Sequence, residues 1–264
     1  MNFSDVFGMF EGGKRLEGLL VEAAADPGKR PEFYRVFAES EVYVLGRLTG
    51  DYQISGDGER ISTERSGVEF FRYEINTHVH FCVYTSLDRV REAIQEETTF
   101  VRMKCRDFLQ MLPEDSTFVL NAGCQYGKEF LWDEIQDLVS GKIFNAVQPV
   151  SVKKGSPLVL SQPKKFPEKV VAAFKSYFST HAEVELAYLG LVFEQSSGEP
   201  PHCVIGLRLR RNAPRKFEEI SNDLAIIARD TLEKGEVLDF VDISRGGQVA
   251  EYLVKETKPF FKAA

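Results

Sequence analysis

Cysteine is scarce in this 264-residue chain: four residues, Cys82, Cys105, Cys124 and Cys203, with no CxxC pair among them. So few and so scattered, they cannot staple a chain of this size, and they read as reduced thiols of a cytoplasmic protein. Histidine is equally rare, at four residues, which leaves little material for a metal centre. Long apolar runs are missing as well. No stretch approaches the roughly 20 residues of a membrane span, and the start, Met1-Asn2-Phe3-Ser4-Asp5, lacks the basic and apolar segments of a secretory signal. There is no basic excess either: a formal charge of −7 weighs against a nucleic-acid surface.

Core-forming residues are plentiful. A hydrophobic content of 43%, with 21 Phe and 9 Tyr, excludes a disordered chain. The charge is unevenly spread. Residues 1–150 carry 16 Lys and Arg against 25 Asp and Glu, and the remainder carries 17 against 15. A break near residue 150 therefore separates two unlike halves.

In the first half, Leu16, Leu19, Leu20, Ala23 and Ala24 share one face of a helix that Asp26-Pro27-Gly28 stops. Pro31 opens a second, short helix with Phe33, Val36 and Phe37 inward, and Glu41–Leu48 reads as an apolar strand. Residues 49–67 are polar and fit either a long loop or an edge hairpin. Strands follow at 68–75 and 77–84, then a helix from 87 to 96 capped by Ser86. A strand near 99–104, a short helix bearing Cys105 and Phe108, a strand at 117–120 and a helix at 132–140 complete the half. Residues 145–157, with Pro149, Gly155 and Pro157, form the linker. Beyond it come a strand at 158–161, a helix from Pro167, strands at 184–195 and 203–210, a helix at 214–233, a strand at 237–243 and a helix at 247–258. The fold class expected is α+β in two domains. Residues 1–147 make a mixed sheet with covering helices. Residues 156–264 make a ferredoxin-like βαββαβ module with an extra C-terminal helix.

Few side chains carry chemistry. His78 and His80 project from one face of a strand, with Cys82 beside them, and could supply two metal ligands, but no third is evident and a polar sheet face explains them. Cys124, in Asn121-Ala122-Gly123-Cys124-Gln125-Tyr126-Gly127-Lys128, has no positioned base nearby and reads as a turn residue. Arg208, Arg210, Arg211, Arg215 and Lys216 form a basic cluster without interleaved stacking aromatics. No catalytic residues and no metal or other cofactor are expected. Two loops are expected to make contacts: Gly123, Cys124, Tyr126, Gly127, Lys128, Glu129 and Phe130, and the hairpin of Gly198, Glu199, Pro200, Pro201 and His202.

Several strings resemble the SseB (enhanced serine sensitivity) family. In the first half these are Ala24-Ala25-Asp26-Pro27, Arg30-Pro31-Glu32-Phe33-Tyr34, Glu41-Val42-Tyr43-Val44-Leu45-Gly46, Tyr84-Thr85-Ser86-Leu87 and the stretch from Leu120 to Phe130. In the second they are Ser196-Ser197-Gly198-Glu199-Pro200-Pro201-His202, Val237 to Val241 and Glu251-Tyr252-Leu253. They run in order along nearly the whole chain. The resemblance implies a cytoplasmic bacterial protein linked to serine sensitivity and, loosely, to sulfurtransferase activity. It carries no catalytic residue set. Where the family has Asn-Pro-Gly-Ser this chain has Asn121-Ala122-Gly123-Cys124, so that thiol is a poor candidate for an obligate nucleophile. The reading is a non-enzymatic accessory protein that modulates serine and sulfur metabolism through a protein partner, which the resemblance implies to be a sulfurtransferase. The alternative is a small amino-acid-sensing module; a Cys124-dependent enzyme is a third class. Neither nucleic acid nor membrane is expected as a partner.

Overall fold

The computed structural model describes residues 3–55, 60–75, 78–145, 158–195, 200–233 and 235–263. They divide into two compact units. The first holds the opening helix and Glu32–Lys142; the second holds Asp26–Pro31 and the residues from Ile143 onward. Each has its own sheet, as the α+β reading requires. Among the described residues, no helix is long and apolar enough to cross a membrane.

In the first unit, α1 (Phe3–Ala25) buries four of the five residues read as its inner face, Leu16, Leu19, Leu20 and Ala23, while Ala24 is exposed. Asp26, in the short segment that groups with the second unit, accepts a hydrogen bond from Gly28 N at 2.8 Å and caps a 3-10 turn that leads into α2 (Arg30–Glu39). The sheet is built from β1 (Glu41–Ile54), β2 (Arg60–Phe70), β3 (Arg72–Ile75), β4 (His78–Tyr84), β5 (Phe100–Lys104), β6 (Thr117–Leu120) and β7 (Lys128–Phe130). Between them lie α3 (Leu87–Ala93) and α4 (Cys105–Met111), and α5 (Trp132–Val139) follows β7. The order is β2-β1-β4-β6-β7, with β3 also beside β4 and β5 beside β1. It is a mixed sheet, because β4 and β6 are parallel while their neighbours are antiparallel.

Two features of this unit refine the reading from sequence. Residues 49–54 and 60–67 lie in paired antiparallel strands rather than a loop, since β1 continues past Gly46 to Ile54 alongside β2. The segment after Gly127 is no loop either. It returns as β7 along β6, with Phe118 opposite Phe130. That pairing draws Phe130 into an aromatic column, 4.4 Å from Phe118 and 4.9 Å from Phe37 between ring centroids.

The second unit contains β8 (Leu158–Ser161), α6 (Glu168–Thr180), β9 (Val184–Glu194), β10 (His202–Leu209), α7 (Phe217–Arg229), β11 (Leu238–Asp242), α8 (Gln248–Glu256) and β12 (Phe261–Lys262). One face of its sheet packs on α6 and α7 through Val170, Phe174, Phe178, Ile205, Leu207, Ile220 and Leu224. On the other face α8 seats Leu253 over Gly206, where an added Cβ would lie 2.6 Å from a Leu253 methyl. The β-α-β-β-α-β element order is present, but the ferredoxin-like strand arrangement is not. That arrangement would place β8 between β10 and β11. Instead β10 and β11 are direct parallel neighbours, a βαβ unit closed by α7, and β8 lies antiparallel on the outer flank of β9. β12, unanticipated beyond Pro259, pairs with the same flank at Ala187 and Leu186.

Candidate functional site

The turn after β6 is held from both sides. Asn121 adopts φ 56°, and its Oδ1 accepts from Thr85 N at 3.0 Å while its own N–H donates to Val83 O at 2.7 Å. Asn tolerates this left-handed conformation better than most residues. Cys124 N donates to Asn121 O at 3.1 Å, closing the turn. At the far shoulder Gly127 passes so near the strand that a Cβ would meet Leu120 O at 2.8 Å. Between these anchors Gly123, Gln125, Tyr126 and Gly127 face solvent, with Tyr126 43% exposed. Leu131, just past β7, is also exposed.

The remaining residues expected in this surface serve other ends. The Lys128 ammonium lies 3.0 Å from Glu134 Oε1 and 4.6 Å from the centroid of the Phe130 ring. Glu134 is itself buried and accepts from Tyr34 OH at 2.5 Å. Lys128 therefore satisfies an internal carboxylate. Phe130 has no exposure and is withdrawn from the contact surface: strand pairing with β6 turns its ring inward. Glu129 stays exposed, and Cys124 is half-buried.

Beneath the turn a polar cluster ties α1 to the start of α3. Glu17 accepts from Ser86 Oγ at 2.7 Å and from Arg89 Nη2 at 3.1 Å. Thr85 Oγ1 lies 2.9 Å from Glu17 Oε1 and 3.1 Å from Asn121 Oδ1, two acceptors sharing its one proton. Ser86 caps α3 as expected, receiving Arg89 N. Burial pushes the Glu17 carboxyl up, but the hydrogen bonds from Ser86, Arg89 and Thr85 outweigh it and hold the group below the ordinary carboxylate value. A carboxylate depressed in the folded state stabilises the fold above that ordinary value, and the contribution is lost as acid titrates the folded form. Glu17→Gln is accordingly expected to cost about 1–3 kcal/mol at neutral pH. The gap from the parent protein should narrow as pH falls below the ordinary carboxylate range. Urea melts across that range measure it, and a constant gap would remove the charge as the cause.

The Cys124 thiol donates to Arg89 O at 3.7 Å. Burial and then the Glu92 charge raise its pKa, with Arg89 opposing them. An activated nucleophile needs the reverse, a stabilised thiolate beside a base. The other thiols point the same way, since burial raises Cys82, Cys105 and Cys203 too.

In the second unit Gly198 and Glu199 lie outside the described residues, and Pro200 and Pro201 are exposed. His202 opens β10 with Nε2 2.8 Å from Asp239 Oδ2 and Nδ1 3.1 Å from Pro200 O. Both ring nitrogens are engaged, so the imidazole braces β10 against β11. His80 Nδ1 is 2.5 Å from Thr117 Oγ1 on the neighbouring strand, and the His78 side chain lies outside the described residues. Among the described residues, no group of three His, Cys, Asp or Glu side chains could hold a metal ion. The basic cluster disperses into separate pairs, Arg208 with Glu185 and Arg215 with Asp223. That second pair, joined by Tyr177, is a buried network with no warning in the local sequence.

Comparison with known proteins agrees with this layout. The description "SseB protein N-terminal domain" matches residues 16–137, and "SseB protein C-terminal domain" matches residues 152–262. "Protein SseB" of Escherichia coli (strain K12) is 28% identical over 257 residues, covering 96% of this chain and 94% of the relative. "Protein SseB" of Shigella flexneri matches to the same extent. No solved structure matches the chain. With both domain descriptions matched in order, the chain belongs to the SseB family.

Proposed function

We propose that this protein is a non-enzymatic cytoplasmic accessory factor. In this reading it modulates serine and sulfur amino-acid metabolism by binding a protein partner, and a sulfurtransferase is the first candidate. One observation supports it most. The Asn121–Gly127 turn is braced at both shoulders yet presents Tyr126 to solvent, with Leu131 exposed just past β7, while Lys128 and Glu17 beside it bond inward. A rigid loop bearing an exposed tyrosine loses little entropy on docking, and Tyr is a residue type that dominates binding energy at interfaces. The raised thiol of Cys124 speaks against covalent catalysis at the same place. The family's link to serine sensitivity and sulfurtransferase activity supplies the metabolic context.

Titration calorimetry of the full chain against a sulfurtransferase from the same organism tests the proposal. Tyr126→Ala is expected to weaken binding by about 30-fold or more, the cost of an interface hot spot, while the melt is unchanged. Equal binding by Tyr126→Ala would discard the loop as the contact. No binding by the parent protein would discard the sulfurtransferase as the partner.

A further inference from the structure

The outer flank of the second unit's sheet has a second recognition geometry. Among the described residues β8 pairs only with β9. Antiparallel pairing then leaves alternate N–H and C=O groups of Leu158–Ser161 pointing away from the sheet. Between β8 and α8 lies an open cleft of about 530 Å3. Leu158 and Leu160, two apart on one face of β8, form its floor, and Tyr252 of α8 supplies an aromatic wall. Glu251, Lys255 and Glu256 stand along the α8 side. The same flank of β9 already receives a short extended segment, because β12 pairs there in line with β8.

A sheet edge, a parallel-running cleft and a helix on its far side together suit strand addition. Main-chain hydrogen bonds to the edge supply affinity, and alternate side chains entering the cleft supply selectivity. Charge defines the guest further. Lys255 is paired with Glu251 at 3.2 Å, whereas Glu256 has no ion-pair partner among the described residues. The helix side of the cleft therefore carries a surplus carboxylate. A second copy adding its own β8 would bring Leu-Val-Leu-Ser, which has no cation within the strand itself. We propose that β8 and α8 take up an extended segment of a partner protein as an added strand. Apolar side chains of that segment enter the cleft at alternate positions, and a Lys or Arg meets Glu256. The site is on a different unit from Tyr126 and does not depend on the loop reading.

The experiment is selection of a phage-displayed library of random linear nonapeptides on the full chain. The enriched peptides should alternate apolar residues and carry a basic one. A synthetic copy should shift the amide resonances of residues 158–161 and 248–256. Leu160→Asp should weaken its binding by about tenfold or more, and Tyr126→Ala should leave it unchanged. Glu256→Lys, a change at an exposed position that spares the fold, should turn the selection toward acidic peptides. The proposal is overturned if no peptide is enriched, or if enriched peptides bind Leu160→Asp or Glu256→Lys as they bind the parent. Self-association through this edge, seen by sedimentation and abolished by Leu160→Asp, would overturn it equally.

Discussion

Asp223→Ala is expected to destabilise the second unit by about 2–3 kcal/mol, the cost of taking from a part-buried guanidinium and a buried phenol the carboxylate they share. The Asp223 side chain, on α7, is 1% exposed and lies 2.7 Å from Arg215 Nη2. It also accepts from Tyr177 OH, on α6, at 2.6 Å. Arg215 closes the triangle by donating to Tyr177 OH at 2.9 Å, and it reaches Glu219 O at 3.2 Å. Removing the carboxylate strands a guanidinium and a phenol that have lost their shared acceptor. Burial, then the charge of Asp223, pushes the Tyr177 phenol far above its ordinary range, so it remains a donor throughout the accessible pH range. Tyr177→Phe removes one donor and leaves the ion pair, so about 1–2 kcal/mol is expected. Chemical denaturation gives both numbers, and hydrogen exchange in α6 and α7 locates the loss. A cost for Asp223→Ala below about 1 kcal/mol, the range of an exposed pair, would show that water reaches the network and that it does not hold the two helices together.

That network also marks where reading the sequence stops. Helix faces such as Leu16-Leu19-Leu20-Ala23 and the Ser86 cap are local, written within a few residues, and so are legible. Tyr177 and Asp223 are 46 residues apart, and Glu17 and Ser86 are 69 apart. No local period links such pairs. Strand order is similarly non-local. The succession β-α-β-β-α-β could be read from the chain, but it is compatible with more than one pairing, and whether β8 lies inside the sheet or on its flank depends on contacts across 30 residues or more. β7 has three residues between a turn and a helix, too few for alternation to show.

The turn around Tyr126 illustrates the same limit at single residues. Glycines around Tyr126 correctly indicated a turn, and Tyr126 is exposed. Lys128 looked equally available because a lysine near a turn ordinarily reaches solvent. The buried Glu134, six residues on and within the first turn of α5, draws it inward. A carboxylate at that position is unremarkable in sequence, since Asp and Glu favour the first turn of a helix. Only its burial beside the Tyr34 hydroxyl shows that it needs a cation.

Phe130→Ala separates core from exposed turn in one measurement and should cost the first unit about 3–5 kcal/mol. The ring has no exposure, stacks on Phe118 and Phe37, meets Tyr34 edge-on at 6.3 Å between centroids and carries the Lys128 ammonium over its face. Truncation leaves a cavity between rigid rings that cannot close around it, which is the condition for the upper part of that range. It also strips Lys128 of its aromatic support and loosens the pair with Glu134. Trp132, the sole tryptophan of the chain, begins α5 two residues further on, so its fluorescence follows the unfolding of this unit directly. Phe130→Ala should move the Trp132 transition to much lower denaturant, whereas Tyr126→Ala should move it by no more than about 0.5 kcal/mol, as a surface change does. If Phe130→Ala instead kept its Trp132 transition and lost only partner binding, the β6–β7 pairing would be wrong. The loop would then extend to Phe130 as a continuous contact surface.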